Sequence, residues 1–485
     1  MTVRIRWQEP LCTALLATTM IGTCQAPATA QPAPGSDGYV HVSPDGTVLG
    51  ADPYYPKDGN GGYDVDKYSL ALDYSPYSML LYGKATITAT ATQDLSRFDL
   101  DLRGLTVRTV TVDGVPATFR RAGEHELVIT PRTALAQGAR FTVVVGYDGR
   151  PEPIGTARGR VGWLGTPGDS AVATGQPRSA MTWFPVNGTE VDKATLRVSV
   201  TVLDEFSVLG NGSQVSDVPA GVGRHTVTWS EDTALAPSTA MLGIGRWEVE
   251  RVTLPGGRTA INAYHPCAAD KRKIGGRLPE VLEFLGGKFG DYPQSAAGGL
   301  FLDRSLGYTH GAQTRPVYGR TATIADLVYA TAYQWWGAGV SGKMWRDALM
   351  PESIAQYAVW LWDETKNGVD LDRRYREMVA EVSGDAGFWS PKLTDPGKGT
   401  EFAPTTKAVL MVHALRRLIG DDGFFQIMAG FPVINPQGNQ NWHDFELYVS
   451  AMTQLDLEAF NHAWLDGTVR PPDDLLYPGP LRPSR

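Results

Sequence analysis

The hydrophobic pattern of this chain changes its period near residue 260. Before that point, short runs rich in β-branched and aromatic residues follow one another, which is typical of β-strands. Turn signals such as Asp113-Gly114 and Asn211-Gly212 separate the runs. The predicted strands are residues 65–74, 85–91, 106–112, 126–130, 141–147, 196–203 and 226–229. The first half is therefore predicted to form an antiparallel all-β domain.

After residue 260, apolar residues recur at helical spacing. The predicted helices are residues 278–289, 324–336, 353–364, 373–382, 408–418 and 445–452. A chain of 485 residues is too long for one typical hydrophobic core, so the change of pattern predicts two domains. The turn Pro255-Gly256-Gly257 coincides with the change, and the segment from Arg251 to Arg258 is predicted to link the two halves.

The N-terminus has the layout of a secretory signal peptide. Two arginines precede a mostly apolar run at residues 11–22, and the small residues Ala28-Thr29-Ala30 follow, which predicts cleavage after Ala30. Cys24 is a poor match to a lipid-attachment site because a threonine precedes it. No later stretch is apolar for long enough to span a membrane. We therefore expect a secreted mature chain without a lipid anchor or a membrane span.

These signals divide the chain into five parts. Residues 31–60 are rich in Pro, Gly, Asp and Ser, which predicts a flexible leader. The predicted parts are a signal peptide at 1–30, the leader at 31–60, an N-terminal β domain at 61–255, a second, mainly helical domain at 256–472 and a C-terminal tail at 473–485.

Charge and cysteine content exclude several classes of function. The net charge is −8 and no stripe of Lys or Arg stands out, which argues against a nucleic-acid partner. Only Cys267 remains after cleavage at Ala30, so no internal disulfide is expected. Cys267 is interpreted as a small buried residue rather than a catalytic thiol.

Seven short segments occur in a characteristic order. They are Tyr63-Asp64-Val65-Asp66-Lys67-Tyr68, Trp183-Phe184-Pro185-Val186-Asn187 with Asp192-Lys193-Ala194-Thr195, Phe289-Gly290-Asp291-Tyr292-Pro293, Gln313-Thr314-Arg315-Pro316, Tyr333-Gln334-Trp335-Trp336-Gly337 and Trp464-Leu465. In order and spacing they resemble the aminopeptidase N-like zinc metallopeptidases over about residues 60–470. The resemblance implies a short secreted member of bacterial type, with an α+β multidomain fold. Its parts would be an antiparallel β-saddle domain and a thermolysin-like, mainly helical domain, without the large C-terminal helical domain of longer members.

The chemistry of that family depends on His-Glu-x-x-His on one helix and a Glu nineteen residues after the second His. The spacing places both imidazoles on one helix face, where they hold zinc together with the carboxylate, and the first Glu is the general base. Here the run is Tyr329-Ala330-Thr331-Ala332-Tyr333, and only the third ligand is kept, as Glu352. The resemblance therefore implies a degenerate site without cofactor. Zinc is expected only if this interpretation is wrong.

Other positions that the family uses have changed as well. Gly311 stands where the family has a Glu that binds the substrate amine, and Thr405 stands where it has the Tyr that stabilises the oxyanion. Gln176 is matched to a residue of the β domain that also touches the amine. The resemblance places His310, a further candidate for substrate binding, on the edge strand that lines the family's cleft, where it lies either near Glu352 or on the surface.

Two hypotheses follow for the tyrosines and for the function. Tyr329 and Tyr333 are predicted to fill the former metal site; the alternative is an aromatic ligand-binding cleft shared with Trp335 and Trp336. The leading function is that of a pseudopeptidase that binds peptides or extracellular proteins. The alternative is an enzyme, aminopeptidase-like or another hydrolase, with a non-standard site in the same cleft, although no GxSxG motif supports it.

Overall fold

The computed structural model describes residues 52–254 and 257–482. The predicted signal peptide, Cys24 and residues 31–51 of the predicted leader lie outside this range. Strands predominate up to Tyr264 and helices predominate after it. Within the described residues no helix has both the length and the hydrophobicity that a bilayer-spanning helix needs.

The first half consists of strands in several sheets. In chain order they are β1 (Tyr63–Ser75), β2 (Leu80–Ala91), β3 (Phe98–Asp101), β4 (Thr106–Val112), β5 (Val115–Pro116), β6 (Thr118–Ala122), β7 (Glu126–Thr130), β8 (Arg140–Gly149), β9 (Ile154–Thr156), β10 (Gly159–Val161), β11 (Trp163–Thr166), β12 (Ser170–Thr174), β13 (Ala194–Leu203), β14 (Ser207–Gly210), β15 (Ser213–Pro219), β16 (Arg224–Leu235) and β17 (Met241–Gly245). The main sheet has the order β15-β16-β13-β1-β2-β8-β4-β5. A four-stranded sheet, β11-β12-β17-β14, and a three-stranded sheet, β3-β7-β6, accompany it.

All seven predicted strands are confirmed, but the main sheet is not purely antiparallel. β1 pairs with β13 in parallel, with Tyr68 opposite Leu196, while β1 and β2 are antiparallel. The strands β2 to β12 lie between β1 and β13 in the chain. A parallel pair needs such a long connection, and local patterns do not reveal it. The prediction of an antiparallel domain was wrong at this pair.

Alternating burial explains why the strands pack against one core. Along β13, Leu196, Val198, Val200 and Val202 are buried, while the residues between them are partly exposed. This period of two directs one face of the sheet to the core. The predicted turn after β4 is also confirmed, because Asp113 and Gly114 both have positive φ, as a type I′ turn requires.

The second half combines a small sheet with helices. Its strands are β18 (Glu248–Thr253), β19 (Thr259–Tyr264), β20 (Ala297–Phe301), β21 (Val317–Tyr318), β22 (Ser341–Gly342) and β23 (Asn439–Gln440). Its α-helices are α1 (Arg272–Gly275), α2 (Leu278–Phe289), α3 (Ile324–Ala332), α4 (Leu349–Asn367), α5 (Leu371–Val382), α6 (Ala386–Trp389), α7 (Thr405–Ile419), α8 (Asp421–Ile434), α9 (Trp442–Thr453), α10 (Glu458–Asn461) and α11 (Asp473–Leu476). Each of the six predicted helices overlaps one of these.

Helices α3 and α4 position the candidate site. A capping box between Thr323 and Asp326 starts α3, which ends at Ala332 rather than at Trp336 as predicted. The chain leaves the helix there and reaches Gly337, whose φ of +143° suits glycine. Glu352 lies in the first turn of α4, where a carboxylate interacts favourably with the helix dipole.

Two predicted connecting segments have defined structure. Within the segment from Arg251 to Arg258, expected to link the halves, the residues up to Thr253 lie in β18, which pairs with β19, and β19 pairs with β20 of the second half. The expected C-terminal tail is also packed, since Leu476 and Leu481 are fully buried.

The described end of the predicted leader is packed rather than loose. Tyr54 and Asp58 are buried. Asp58 forms ion pairs with Arg178 and with His125, the latter at 3.3 Å. His125 Nε2 also lies 2.8 Å from the Lys57 carbonyl oxygen. These contacts attach the leader to the first half before β1 begins.

The pKa shifts around His125 predict that stability falls with rising pH. The hydrogen bond with Asp58 raises the pKa of His125 to about 9, and burial raises that of Glu126 to about 8. Since both groups bind protons more tightly when folded, their stabilisation is complete below their unfolded pKa values and is lost as pH rises through 8 and 9. We expect the free energy of unfolding to fall between pH 6.5 and pH 9.

Urea unfolding at several pH values measures this effect. His125→Gln should reduce the decrease by about 1–3 kcal/mol, because one pKa unit corresponds to about 1.4 kcal/mol. His443→Gln, at a side chain that is 71% exposed, serves as the control. An equal pH dependence in the wild type and His125→Gln would contradict the prediction.

Candidate functional site

A cavity of about 540 Å³ lies between the strand-rich half and the helical half. The first half contributes residues 154–158 and 176–178, and the second half contributes Tyr308, Tyr329, Glu352 and residues 399–403. Tyr55 of the predicted leader also lines it. Its volume is in the range of small-molecule sites.

The Tyr329 hydroxyl is bonded to the Glu352 carboxylate. Tyr329 Oη donates to Glu352 Oε2 at 2.7 Å, and Gln356 Nε2 approaches Oε1 at 3.3 Å. Burial raises the pKa of Glu352, and the two hydrogen bonds partly offset this. Burial and the adjacent carboxylate raise the pKa of Tyr329 well above its usual value of 10. Tyr329 is therefore a neutral donor, and the pair satisfies a carboxylate that would otherwise be costly to bury.

The Tyr333 ring occupies a space that two glycines leave open. A Cβ atom added to Gly311, or to Gly337, would overlap this ring. Tyr333 lies one turn after Tyr329 on the same face, with ring centroids 6.1 Å apart. A glutamate at 311 is thus incompatible with the present position of Tyr333. The residue types at positions 311 and 333 therefore depend on each other sterically.

Gln176, which belongs to the strand-rich half, contacts both Gly311 and Tyr333. Its Oε1 accepts a hydrogen bond from the Gly311 backbone N–H at 2.9 Å, and its Nε2 lies 3.5 Å from Tyr333 Oη. The sequence placed Gln176 and Gly311 together only through the family resemblance. The structure brings them into contact.

The side chains around Tyr329 do not provide the donor set of a catalytic zinc site. Such sites use neutral imidazole, thiolate or carboxylate ligands. Here Glu352 is the single carboxylate, Tyr329 is a phenol already bonded to it, and Ala330 offers no functional group. Among the described residues, the groups close enough together to share an ion are His265, Cys267 and Asp303, and Asp101, His125 and Glu126, and neither includes Glu352.

The Thr405 side chain forms a hydrogen bond with the backbone. It is the first residue of α7, and its Oγ1 donates to the Phe402 carbonyl oxygen at 2.7 Å. Phe402 and Ala403 line the cavity, whereas Thr405 is absent from its described wall.

His310 is buried, which corrects the interpretation as a surface residue. It is 1% exposed, and its ring packs against Tyr308 with centroids 4.5 Å apart. Burial lowers its pKa to about 4, so it is neutral at physiological pH. The described cavity wall contains Tyr308 but not His310. Cys267 was also misplaced by sequence reasoning, since it is exposed rather than buried.

Sequence reasoning missed two polar residues of the cavity wall. The Tyr308 hydroxyl is buried and has no hydrogen-bond partner among the described residues. The Arg158 guanidinium lies over the rings of Phe402 and Tyr308, at 4.9 Å and 5.8 Å from their centroids. Both residues come from loops outside the recognised motifs, so only the folded chain places them together.

Comparisons with known proteins agree with this architecture. Residues 64–238 match the model of the Peptidase M1 N-terminal domain. A protein of Sulfurisphaera tokodaii described as probable aminopeptidase 2 is 24% identical over 359 residues, which is 70% of this chain. The aligned region spans only 42% of that relative.

The fold is shared with solved structures of an M1 zinc metallopeptidase from Deinococcus radiodurans. One has a TM-score of 0.80 and 24% identity and covers 87% of this chain and 98% of the other. A mutant form with a Tyr-Ser-Ala substrate bound has a TM-score of 0.79 at the same identity, covering 87% and 98%. The matched domain, the relative and the common fold support the resemblance of this chain to the aminopeptidase N-like M1 metallopeptidases, whose fold it shares.

Proposed function

We propose that this protein is an exported pseudopeptidase: a β-saddle domain and a thermolysin-like domain enclose a cavity that binds peptides without cleaving them. The hydrogen bond between Tyr329 and Glu352 carries the proposal. Through it, the neutral phenol of Tyr329 is bonded to Glu352, the one ligand of the family's zinc site that the sequence retains. Neither Tyr329 nor Ala330 can activate water as a general base in the way that the family's Glu does.

The remaining features of the cavity favour binding. The buried Tyr308 hydroxyl offers a donor without a protein partner, and Arg158 offers a charged one. Phe402 and Met181 add apolar surface. A few polar groups on an apolar wall are what peptide-sized ligands require.

A second candidate function is hydrolysis by another mechanism in the same cavity. Its support is Glu352, whose pKa is raised by burial, as is common for catalytic acids and bases. The described cavity supplies no nucleophile hydrogen-bonded to this carboxylate other than the Tyr329 phenol. Binding without turnover is therefore the better-supported function.

The first test measures binding and turnover on the same protein. Calorimetry with the tripeptide Tyr-Ser-Ala should show binding, and Arg158→Ala or Tyr308→Phe should weaken it about 2- to 10-fold, because each removes a donor. Arg160→Ala, which alters an exposed arginine outside the cavity wall, should not. With added zinc, cleavage of the tripeptide should stay at background.

Two outcomes would contradict the proposal. Absence of binding would reject the peptide-binding function. Turnover of the tripeptide or of an ester substrate that Glu352→Gln abolishes would favour the hydrolase instead.

Restoring the zinc motif alone should not restore a peptidase. In the triple variant Tyr329→His, Ala330→Glu and Tyr333→His, metal binding is expected if Glu352 keeps its position. Cleavage of aminoacyl substrates should remain at least about a hundredfold below that of an intact family member, since no tyrosine stabilises the oxyanion. Gly311 also offers no carboxylate for the substrate amine. The same triple variant with Glu352→Gln is the control for metal dependence. A rate near that of the intact enzyme would show that Gly311 and Thr405 were misassigned.

The steric dependence between Gly311 and Tyr333 predicts a coupling free energy. Gly311→Ala should destabilise the protein by about 1–3 kcal/mol, because the added methyl group overlaps the ring. In a Tyr333→Ala background the same substitution should cost much less, and urea unfolding of the four proteins measures the difference. Gly384→Ala, where an added Cβ contacts nothing within 4 Å, is the control. Additive effects at 311 and 333 would contradict the packing argument.

A further inference from the structure

The segment from Asp52 to Asn60, which we call the strap, spans the two sides of the cavity. On the helical side, Asp52 Oδ2 accepts from the Trp345 backbone N–H at 2.5 Å, and the Tyr54 hydroxyl donates to Asp395. Tyr54 Oη also accepts from the Gly397 N–H at 2.8 Å. Three separate contacts thus hold the first part of the strap on the second half of the chain.

The other end of the strap is attached to the strand-rich half. Besides the ion pairs of Asp58, the Gly59 N–H donates to Asp101 at 2.9 Å. Asn60 and Asn187 exchange two hydrogen bonds, at 2.6 and 3.0 Å. A segment attached at both ends to opposite halves crosses the space between them.

Tyr55 is the strap residue that faces the cavity. Its ring lies 3.5 Å from the Arg178 guanidinium carbon and packs edge-on to Trp345, with ring centroids 6.3 Å apart. Its hydroxyl donates to Glu401. Arg178, from the first half, and Trp345 and Glu401, from the second, all line the cavity. Tyr55 therefore completes the wall between residues of opposite halves.

We infer that the strap determines the size of ligand that enters the cavity, because Tyr55 closes a gap that only compact ligands bypass. This inference rests on the proposed function for the meaning of the cavity as a binding site. A di- or tripeptide is of a suitable size for about 540 Å³, whereas a polypeptide chain end must continue out through the wall that the strap completes. Release of the strap would admit longer chains.

Thiol labelling tests the inference without a ligand, so its outcome is independent of whether peptides bind. The described residues contain one cysteine, Cys267, and Cys267→Ser removes it. Met181→Cys then places a thiol in the cavity wall, at a position that is 3% exposed. The reagents are N-ethylmaleimide, which is small, and the same maleimide group attached to a polyethylene glycol chain. Labelling is followed on the full mature chain by mass spectrometry.

We expect the small reagent to label the introduced thiol. The bulky reagent should label it at least about tenfold more slowly, because its entry requires local opening of the strap. Tyr55→Ala should raise the bulky rate about tenfold by removing the ring from the wall. Asp58→Asn, which keeps the ring and the side-chain volume but removes the charge facing Arg178, should raise it as well. Tyr82→Ala, at a tyrosine that is 53% exposed on β2, should have no effect.

Several outcomes would overturn the inference. Equal rates of the two reagents in the intact protein would mean that the strap does not restrict entry. Unchanged bulky labelling in both Tyr55→Ala and Asp58→Asn would mean the same. No reaction with the small reagent in any variant would show that the cavity is sealed by more than the strap.

Discussion

The centre of this protein depends on one buried carboxylate, that of Glu352, which needs hydrogen-bond donors from the protein because it is shielded from water. Glu352 is fixed on α4, and burying its charge without a donor would cost several kcal/mol. Tyr329 on α3 supplies that donor and thereby ties the two helices together at the cavity. Tyr333 follows one turn later on the same face, and its ring in turn requires a glycine at 311. The hydrogen bond and the packing around it form one interdependent arrangement.

The sequence predicted the types of element well because their periods are local. Alternating residues such as Val198 and Val200 bury one strand face, and the regular apolar spacing in α2 predicted the bounds of that helix. The motif identified which positions surround the candidate site.

Features that depend on contacts between distant segments were not predictable. The parallel pairing of β1 with β13 joins strands that the rest of the sheet separates in the chain. Composition predicted a flexible leader, yet Asp58 at its described end is held by Arg178 and His125, which are far away in the sequence. His310 and Tyr308 were likewise placed by packing that no short window records. The composition of a segment does not show its contacts with distant parts of the chain, and such contacts fix the positions of these residues.

The strap has a consequence for the order in which the molecule assembles. Its bonds to Asp395 and Glu401 join residues 341 and 346 positions apart, among the most distant contacts in the described chain. Contacts that close such long loops form late, because the chain loses more entropy in making them. The walls on both sides must exist before Tyr55 can join them. The position of the strap is therefore fixed only where both halves of the described chain are folded, although its residues lie close together in the sequence.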